Sequence, residues 1–229
     1  MLPLRASSLA LFSAVVVLVL AGCGGNDSQS STAAAETPSG TTTGAEGCAD
    51  VEAPAARADG GPKAPTERLD PEKTWVLAFH TSCGTFEVTL DTASAPATAA
   101  SLVSLARAGF YDDTVFHRIV PGFVIQGGDP TQTGTGGPGY STVDAPASDA
   151  SYVKGVVAMA KTQDEPAGTA GSQFFVVTGE DVGLPPDYAV VGKVTEGLDV
   201  VERIGALGDP ATEQPLRPIV VDSVTVSSS

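Results

Sequence analysis

Apolar and polar positions divide this chain into three parts. Leu9 to Leu20 is one apolar run, interrupted only by Ser13. From Gly24 to about Asp70 there is no hydrophobic period. Ser, Thr, Ala, Gly and Pro dominate there, and no aromatic residue occurs between Gly24 and Trp75. Such a stretch cannot bury enough apolar surface to fold and reads as a flexible tether. Patterned sequence begins near Lys73. Thr74–His80 and Thr85–Leu90 alternate around Ser82-Cys83-Gly84 and predict a β-hairpin. Ser94-Ala95-Pro96 opens a helix, with Ser94 as N-cap and Pro96 in the first turn; Gly109 ends it. Val115–Val120 and Phe123–Gln126 form two short strands about a Pro121-Gly122 turn. Strands are predicted again at Gly155–Lys161, Ser172–Thr178, Ala189–Val194 and Pro218–Val226, with helical spacing over Gly197–Ile204. Many short strands and two helices predict a mainly β fold, a closed antiparallel barrel with helices over its ends.

Composition changes this picture little. Gly (26) and Pro (17) favour turns and short strands over long helices. The formal net charge of -15, with only 12 Lys and Arg, argues against nucleic acid as a partner and serves solubility.

The N-terminal run changes it more. Arg5 precedes an apolar segment too short for an ordinary membrane span but suited to a signal-peptide core. The run ends in Leu20-Ala21-Gly22-Cys23, which resembles a bacterial lipobox with Cys23 as the lipidated mature N-terminus. The alternative is a simple secretory signal beside a coincidental cysteine. The expected division is a signal peptide at 1–22, a lipidated N-terminus and flexible linker at 23–70, and a folded domain at 71–229. The expected location is the outer face of the cell membrane, held by lipid. Export makes a Cys48–Cys83 disulfide reasonable, worth about 3–4 kcal/mol for a loop of that size in the chain-entropy model. Two free thiols are the alternative. Without a C-x-x-C pair, redox catalysis has no support.

Candidate chemistry concentrates in residues 116–129. His117, Arg118 and Gln126 interrupt an otherwise apolar hairpin. They are either edge residues facing water or a site. The glycine-rich run Gly134-Thr135-Gly136-Gly137 is not a phosphate loop, since neither a Lys-Ser/Thr pair nor a helix follows it. Ser172 has no histidine at a motif spacing, which leaves a hydrolase unsupported. Two histidines without ligand spacing offer no metal site.

Together the motifs carry a family resemblance. Phe-His-Arg-Ile-x-Pro-Gly-Phe-x-x-Gln-Gly-Gly-Asp at 116–129, Gly134-Thr135-Gly136-Gly137, and Gly171-Ser172-Gln173-Phe174-Phe175 stand in order and at family spacing. Met159-Ala160 and Val191-Gly192-Lys193-Val194 also fit. The domain resembles a cyclophilin, a peptidyl-prolyl cis-trans isomerase, from about Lys73 to Val226. The resemblance implies an eight-stranded closed antiparallel barrel capped by two helices; separately, no cofactor is expected, and a monomer is. It places the active-site arginine at Arg118, the glutamine at Gln126 and the neighbouring histidine at His117. Phe123, Val124, Phe175, Leu184 and Tyr188 fall on the proline pocket; Ala160, Lys161 and Gln173 line the groove. Three positions depart from the family pattern. Gly183 stands where tryptophan is frequent, Tyr188 where histidine is, and the Thr131–Gly136 loop is one residue short. The implied partners are proline-containing segments of exported proteins. The reaction needs no nucleophile: an X-Pro bond turns over slowly because of amide resonance. A fixed guanidinium that donates to the prolyl nitrogen as the amide twists favours the transition state over the ground state. The alternative is a module that binds or scaffolds proline segments with little turnover.

Overall fold

The computed structural model of the chain describes residues 47–229. The signal segment 1–22, Cys23 and the linker up to residue 46 lie outside the described residues.

The expected hairpin is β1 (Trp75–Thr81) and β2 (Gly84–Leu90). Alternate residues turn inward, so that Leu77, Phe79, Phe86 and Val88 are buried. Phe79 lies directly opposite Phe86, and their rings stack with centroids 4.9 Å apart. Helix α1 (Pro96–Arg107) follows. Ser94 is not its cap. Ala95 occupies that position, and the free N–H of Thr98 donates instead to the Asp144 carboxylate, 2.7 Å away in a later loop. At the other end Gly109 takes φ 66°, Phe110 N–H reaches Leu105 O and Gly109 N–H reaches Ala106 O. This is the paired closure that a glycine past the C-cap permits.

The remaining elements are β3 (Thr114–Val115), β4 (Arg118–Val120), β5 (Val124–Gly127), β6 (Thr142–Val143), β7 (Val156–Met159), β8 (Thr169–Ala170), β9 (Phe174–Val177), β10 (Val190–Glu196), α2 (Leu198–Gly205) and β11 (Val220–Ser228). Nine strands make one antiparallel sheet in the order β3-β11-β1-β2-β10-β7-β9-β5-β4, while β6 and β8 pair separately. The sheet is open and strongly curled, not the closed eight-stranded barrel that was expected. Its two edges, β3 and β4, are successive pieces of one chain segment. Val115 pairs with Val220 of β11, and Arg118 pairs with Gln126 of β5. Phe116 and His117, between them, leave strand geometry. The Phe116 ring is fully buried in the core, so the edges meet through covalent chain rather than through a ladder of hydrogen bonds.

Inside the curl lies one apolar core built from the inward faces of the strands and from both helices, with Phe86, Phe116, Phe174, Ile119 and Ile125 among its largest members. Helix α1 packs toward β11 and β6, and α2 toward β2, β4 and β5.

The expected flexible linker differs from what residues 48–61 form. Cys48 is disulfide-bonded to Cys83 in the β1–β2 turn. Ala49 N–H donates to Ser82 O. Further on, Gln132 donates to Pro54 O, Arg57 N–H to Pro130 O, and Gly60 N–H to Gly137 O. Asp59 accepts from Gly137 N–H at 2.7 Å, and the Arg57 guanidinium donates to Phe110 O. The segment is a strap without regular secondary structure. Backbone bonds to a partner loop need no hydrophobic period, which is why the stretch looked unfolded.

Candidate active site

Alternation along β4, β5 and β9 separates core from site. Ile119, Ile125 and Val176 lie side by side in the ladders and face inward, fully buried. The next row is Arg118, Gln126 and Phe175, again side by side and on the opposite face. Val124 follows Gln126 on that face, two residues away. The turn that sets this register has Pro121 first and Gly122 second, with φ 70° at Gly122, and Phe123 N–H closes it on Val120 O at 3.0 Å.

On this outer face a cleft of about 280 Å³ is lined by Arg118, Phe123, Val124, Gln126, Ala160, Lys161, Phe175, Leu184 and Tyr188. Segments far apart in sequence meet there. Its floor is a second apolar cluster, separate from the main core, containing Val124, Phe175, Ala158, Val177 and Tyr152. Tyr188 stands edge-on to Phe175 with centroids 5.6 Å apart. Tyr152 braces it from below: its hydroxyl donates to Tyr188 O at 2.7 Å and accepts from Tyr188 N–H at 3.0 Å. The result is an apolar cup with one guanidinium and one amide on its rim.

Polar partners fix the rim. Arg118 Nε donates to Glu213 Oε2 at 2.7 Å, and Nη1 lies 3.4 Å from Gln126 Oε1. Gln126 Nε2 donates to Gln173 Oε1 at 3.1 Å, and Gln173 Nε2 donates to Gly136 O at 2.9 Å. Gly136 belongs to a loop wound about one buried carboxylate. Asp129 accepts hydrogen bonds from Thr131, Thr133, Gly134 and Gly136 N–H and from the Thr131 hydroxyl. Burial alone would raise the pKa of Asp129. The bonds from Thr131, Gly136 and Gly134 outweigh it and hold the carboxyl below its ordinary range. The strap described above grips the outer side of this same loop.

Of the residues expected at a site, His117 and Gln173 do not line the cleft. Gln173 lines an adjoining recess of about 280 Å³ with Gln126, Ala160 and Lys161. That recess also has Thr135 of the glycine-rich motif in its walls, with Thr162 and Glu165, neither of which the sequence singled out. His117 lines a different recess, with Ala53, Gln132 and Leu216. Neither of its ring nitrogens has a hydrogen-bond partner in the described residues. Burial lowers its pKa, Asp129 opposes that shift, and Arg118 adds to it. Lys161 is engaged internally: Nζ meets Asp187 at 2.6 Å, Thr162 O at 3.1 Å and Glu165 O at 3.0 Å. At Gly183, φ is 62° and an added Cβ would meet nothing within 4 Å. Ser172 is buried and donates to Gly128 O at 2.7 Å, a structural bond that leaves the hydrolase reading without a nucleophile.

Glu213 is the main residue that sequence reading missed. It stands 95 positions from Arg118 in a polar loop after α2. No motif marks it, and only the folded chain brings the two together.

Known proteins resemble this chain in sequence and in fold. The profile of cyclophilin type peptidyl-prolyl cis-trans isomerases matches residues 76–226. A probable peptidyl-prolyl cis-trans isomerase A of Mycobacterium leprae is 37% identical over 167 residues, spanning 65% of this chain and 90% of that protein. The peptidyl-prolyl cis-trans isomerase A of Mycobacterium tuberculosis is 36% identical over 175 residues, covering 69% of this chain and 94% of that protein. A crystal structure of a Cryptosporidium parvum cyclophilin type isomerase, determined in the presence of the dipeptide Ala-Pro, superposes with a TM-score of 0.62. It is 28% identical and covers 67% of this chain and 99% of that one.

Proposed function

This chain belongs to the cyclophilin-type peptidyl-prolyl cis-trans isomerases, and from that premise we propose that it turns X-Pro bonds of exported proteins, with Arg118 as the catalytic donor. The observation that supports the reading is the cleft itself. An apolar cup of a size to take a proline ring has a guanidinium on its rim, already oriented by two side chains. A relative crystallised with Ala-Pro makes a proline peptide the natural occupant.

Phe123, Val124, Phe175, Leu184 and Tyr188 seat the ring and exclude water. Gln126 holds backbone polar groups of the substrate. As the amide twists, the prolyl nitrogen regains its lone pair, and an Arg118 N–H donates to it. That bond exists only in the twisted state, so it lowers the barrier without tightening the ground state. No covalent bond is made or broken.

The test is exchange of a proline peptide followed by NMR with the full chain. Acceleration by the wild type and its loss in Arg118→Ala is the expected result. Wild-type rates in Arg118→Ala would remove the arginine from the mechanism. Peptide binding without accelerated exchange would instead select a proline-binding module.

The proposal extends to location. Cys23 carries lipid and tethers a monomer to the outer face of the cell membrane. The lipobox-like Leu20-Ala21-Gly22-Cys23 supports this. The mass of the mature N-terminus tests it: a lipidated cysteine is expected at position 23, and an unmodified one would reduce the segment to a plain secretory signal.

A further inference from the structure

The catalytic reading of Arg118 leaves open what holds its side chain, and the loop after α2 answers it. Glu213 has φ 59°, a left-handed conformation that a glutamate adopts at a cost. The loop enforces it. Glu213 N–H donates to Asp209 O at 2.8 Å, and Asp209 N–H donates to Gln214 O at 2.8 Å. Asp209 Oδ1 also accepts from Ala211 and Thr212 N–H. The base is tied by the Gly208–Pro215 bridge and by Leu216 N–H to Leu207 O. The whole loop is clamped to the edge of β4. Glu213 O accepts from Ile119 N–H at 2.9 Å, and Gly208 sits so close that a Cβ would come within 2.3 Å of Ile119 O. Ile119 is the neighbour of Arg118, so the backbone of Glu213 is fixed relative to the arginine before its side chain is considered.

The carboxylate then meets Nε at 2.7 Å. Nε is the guanidinium nitrogen nearest the chain, so engaging it sets the plane of the fork. Nη1 turns to Gln126, and Nη2 has no hydrogen-bond partner among the described residues. Both side chains are about a third to a half exposed, at 35% and 47%. A pair this exposed contributes little to stability. Its geometry, and the backbone strain that presents it, point to function instead.

We infer that Glu213 is a positioning residue of the isomerase, holding Arg118 by Nε so that its outer N–H groups stay aimed into the cleft. The inference rests on the proposed role of Arg118. Its experiment exploits the left-handed backbone. Glu213→Gly removes the carboxylate and relieves the φ 59° conformation together. In the full chain, its melting temperature is expected to equal or exceed that of the wild type. Its kcat/KM is expected to fall about tenfold, through kcat, because the arginine loses its orientation. A merely structural residue could not lose activity while stability rises. Glu213→Gln keeps an oxygen acceptor of the same reach and is expected to stay within about threefold of wild type. In an Arg118→Ala background, Glu213→Gly is expected to change the rate no further. Wild-type kcat in Glu213→Gly, or losses that multiply with those of Arg118→Ala, would overturn the inference while leaving the role of Arg118 intact. Wild-type kcat in Arg118→Ala alone would overturn both.

Discussion

Arg118 and Lys161 line the same cleft, both cationic, and their donors are used in opposite ways. Lys161 has a side chain only 2% exposed, and its ammonium meets three acceptors: the Asp187 carboxylate, Thr162 O and Glu165 O. An ammonium has three hydrogens, so none remains for a ligand. Arg118 is a third exposed, with Nε on Glu213, one long contact to Gln126 and the rest of its fork facing the cleft. The guanidinium is thus held and still able to donate, while the ammonium is held and spent. A charge lining a cleft becomes a chemical group only when its partners leave some donors over. On the proposed mechanism Arg118 belongs to the reaction, and Lys161 to the wall, where it ties the 161–165 turn to Asp187 and lies over the Tyr188 ring.

Four measurements would sharpen or break that contrast. Arg118→Ala should lower kcat/KM by about 100-fold or more, the scale for losing one preorganised donor, while its unfolding midpoint stays close to wild type. Lys161→Ala should show the reverse. Breaking a pair with one buried member is expected to cost about 2 kcal/mol in denaturant unfolding, less than for a fully buried pair because Asp187 is 39% exposed. Activity of the folded variant should stay within about threefold. A large kcat loss in Lys161→Ala at unchanged stability would erase the distinction. Gln126→Ala, which removes the link between Arg118 and Gln173, should reduce kcat/KM by roughly tenfold.

The smallest effect is a pH dependence on the arginine side. His117 has a folded pKa below its ordinary 6.5, chiefly through burial, so the unfolded chain binds the proton more readily. Its contribution to stability is complete above that ordinary value and declines as pH falls toward the depressed one. His117→Phe should flatten the stability profile in that window, and an unchanged slope would show that another group titrates there.

Several of these features could be read in the sequence, for physical reasons that differ element by element. The 118–127 hairpin was legible because alternation and a Pro-Gly turn encode register locally, and register decides which side chains share a face. That placed Arg118, Gln126 and Val124 together correctly. The cup residues from 175 to 188 were found through family spacing, since no local pattern joins them to β5. Strands β6 and β8 were missed because two residues carry no period. The closed barrel was an overextension: Phe116 spends its side chain on the core, so the segment that should have bridged the edges leaves the ladder. Ser94 lost the capping role to Asp144, a tertiary partner 46 residues beyond Thr98. Lys161 was rightly placed at the cleft, but nothing in sequence shows that its donors are consumed. Glu213 was invisible for a similar reason, since its relation to Arg118 exists only after β4 and the loop beyond α2 have met.

The bond between Cys48 and Cys83 has a topological consequence. It makes residues 48–83 a covalent macrocycle, with β1 as one arc and the strap as another. A fragment trimmed to residue 71, the expected start of the folded domain, would cut that ring open. It would leave Cys83, only 1% exposed in the intact chain, as an uncovered lone thiol and strip the partners from Pro130, Gln132 and Gly137. Conversely, a protease that nicks the strap in the intact protein releases nothing. The product gains one water in mass and separates only after reduction. Among the described residues, the ties that hold the chain to the domain therefore begin at a cysteine rather than at a strand.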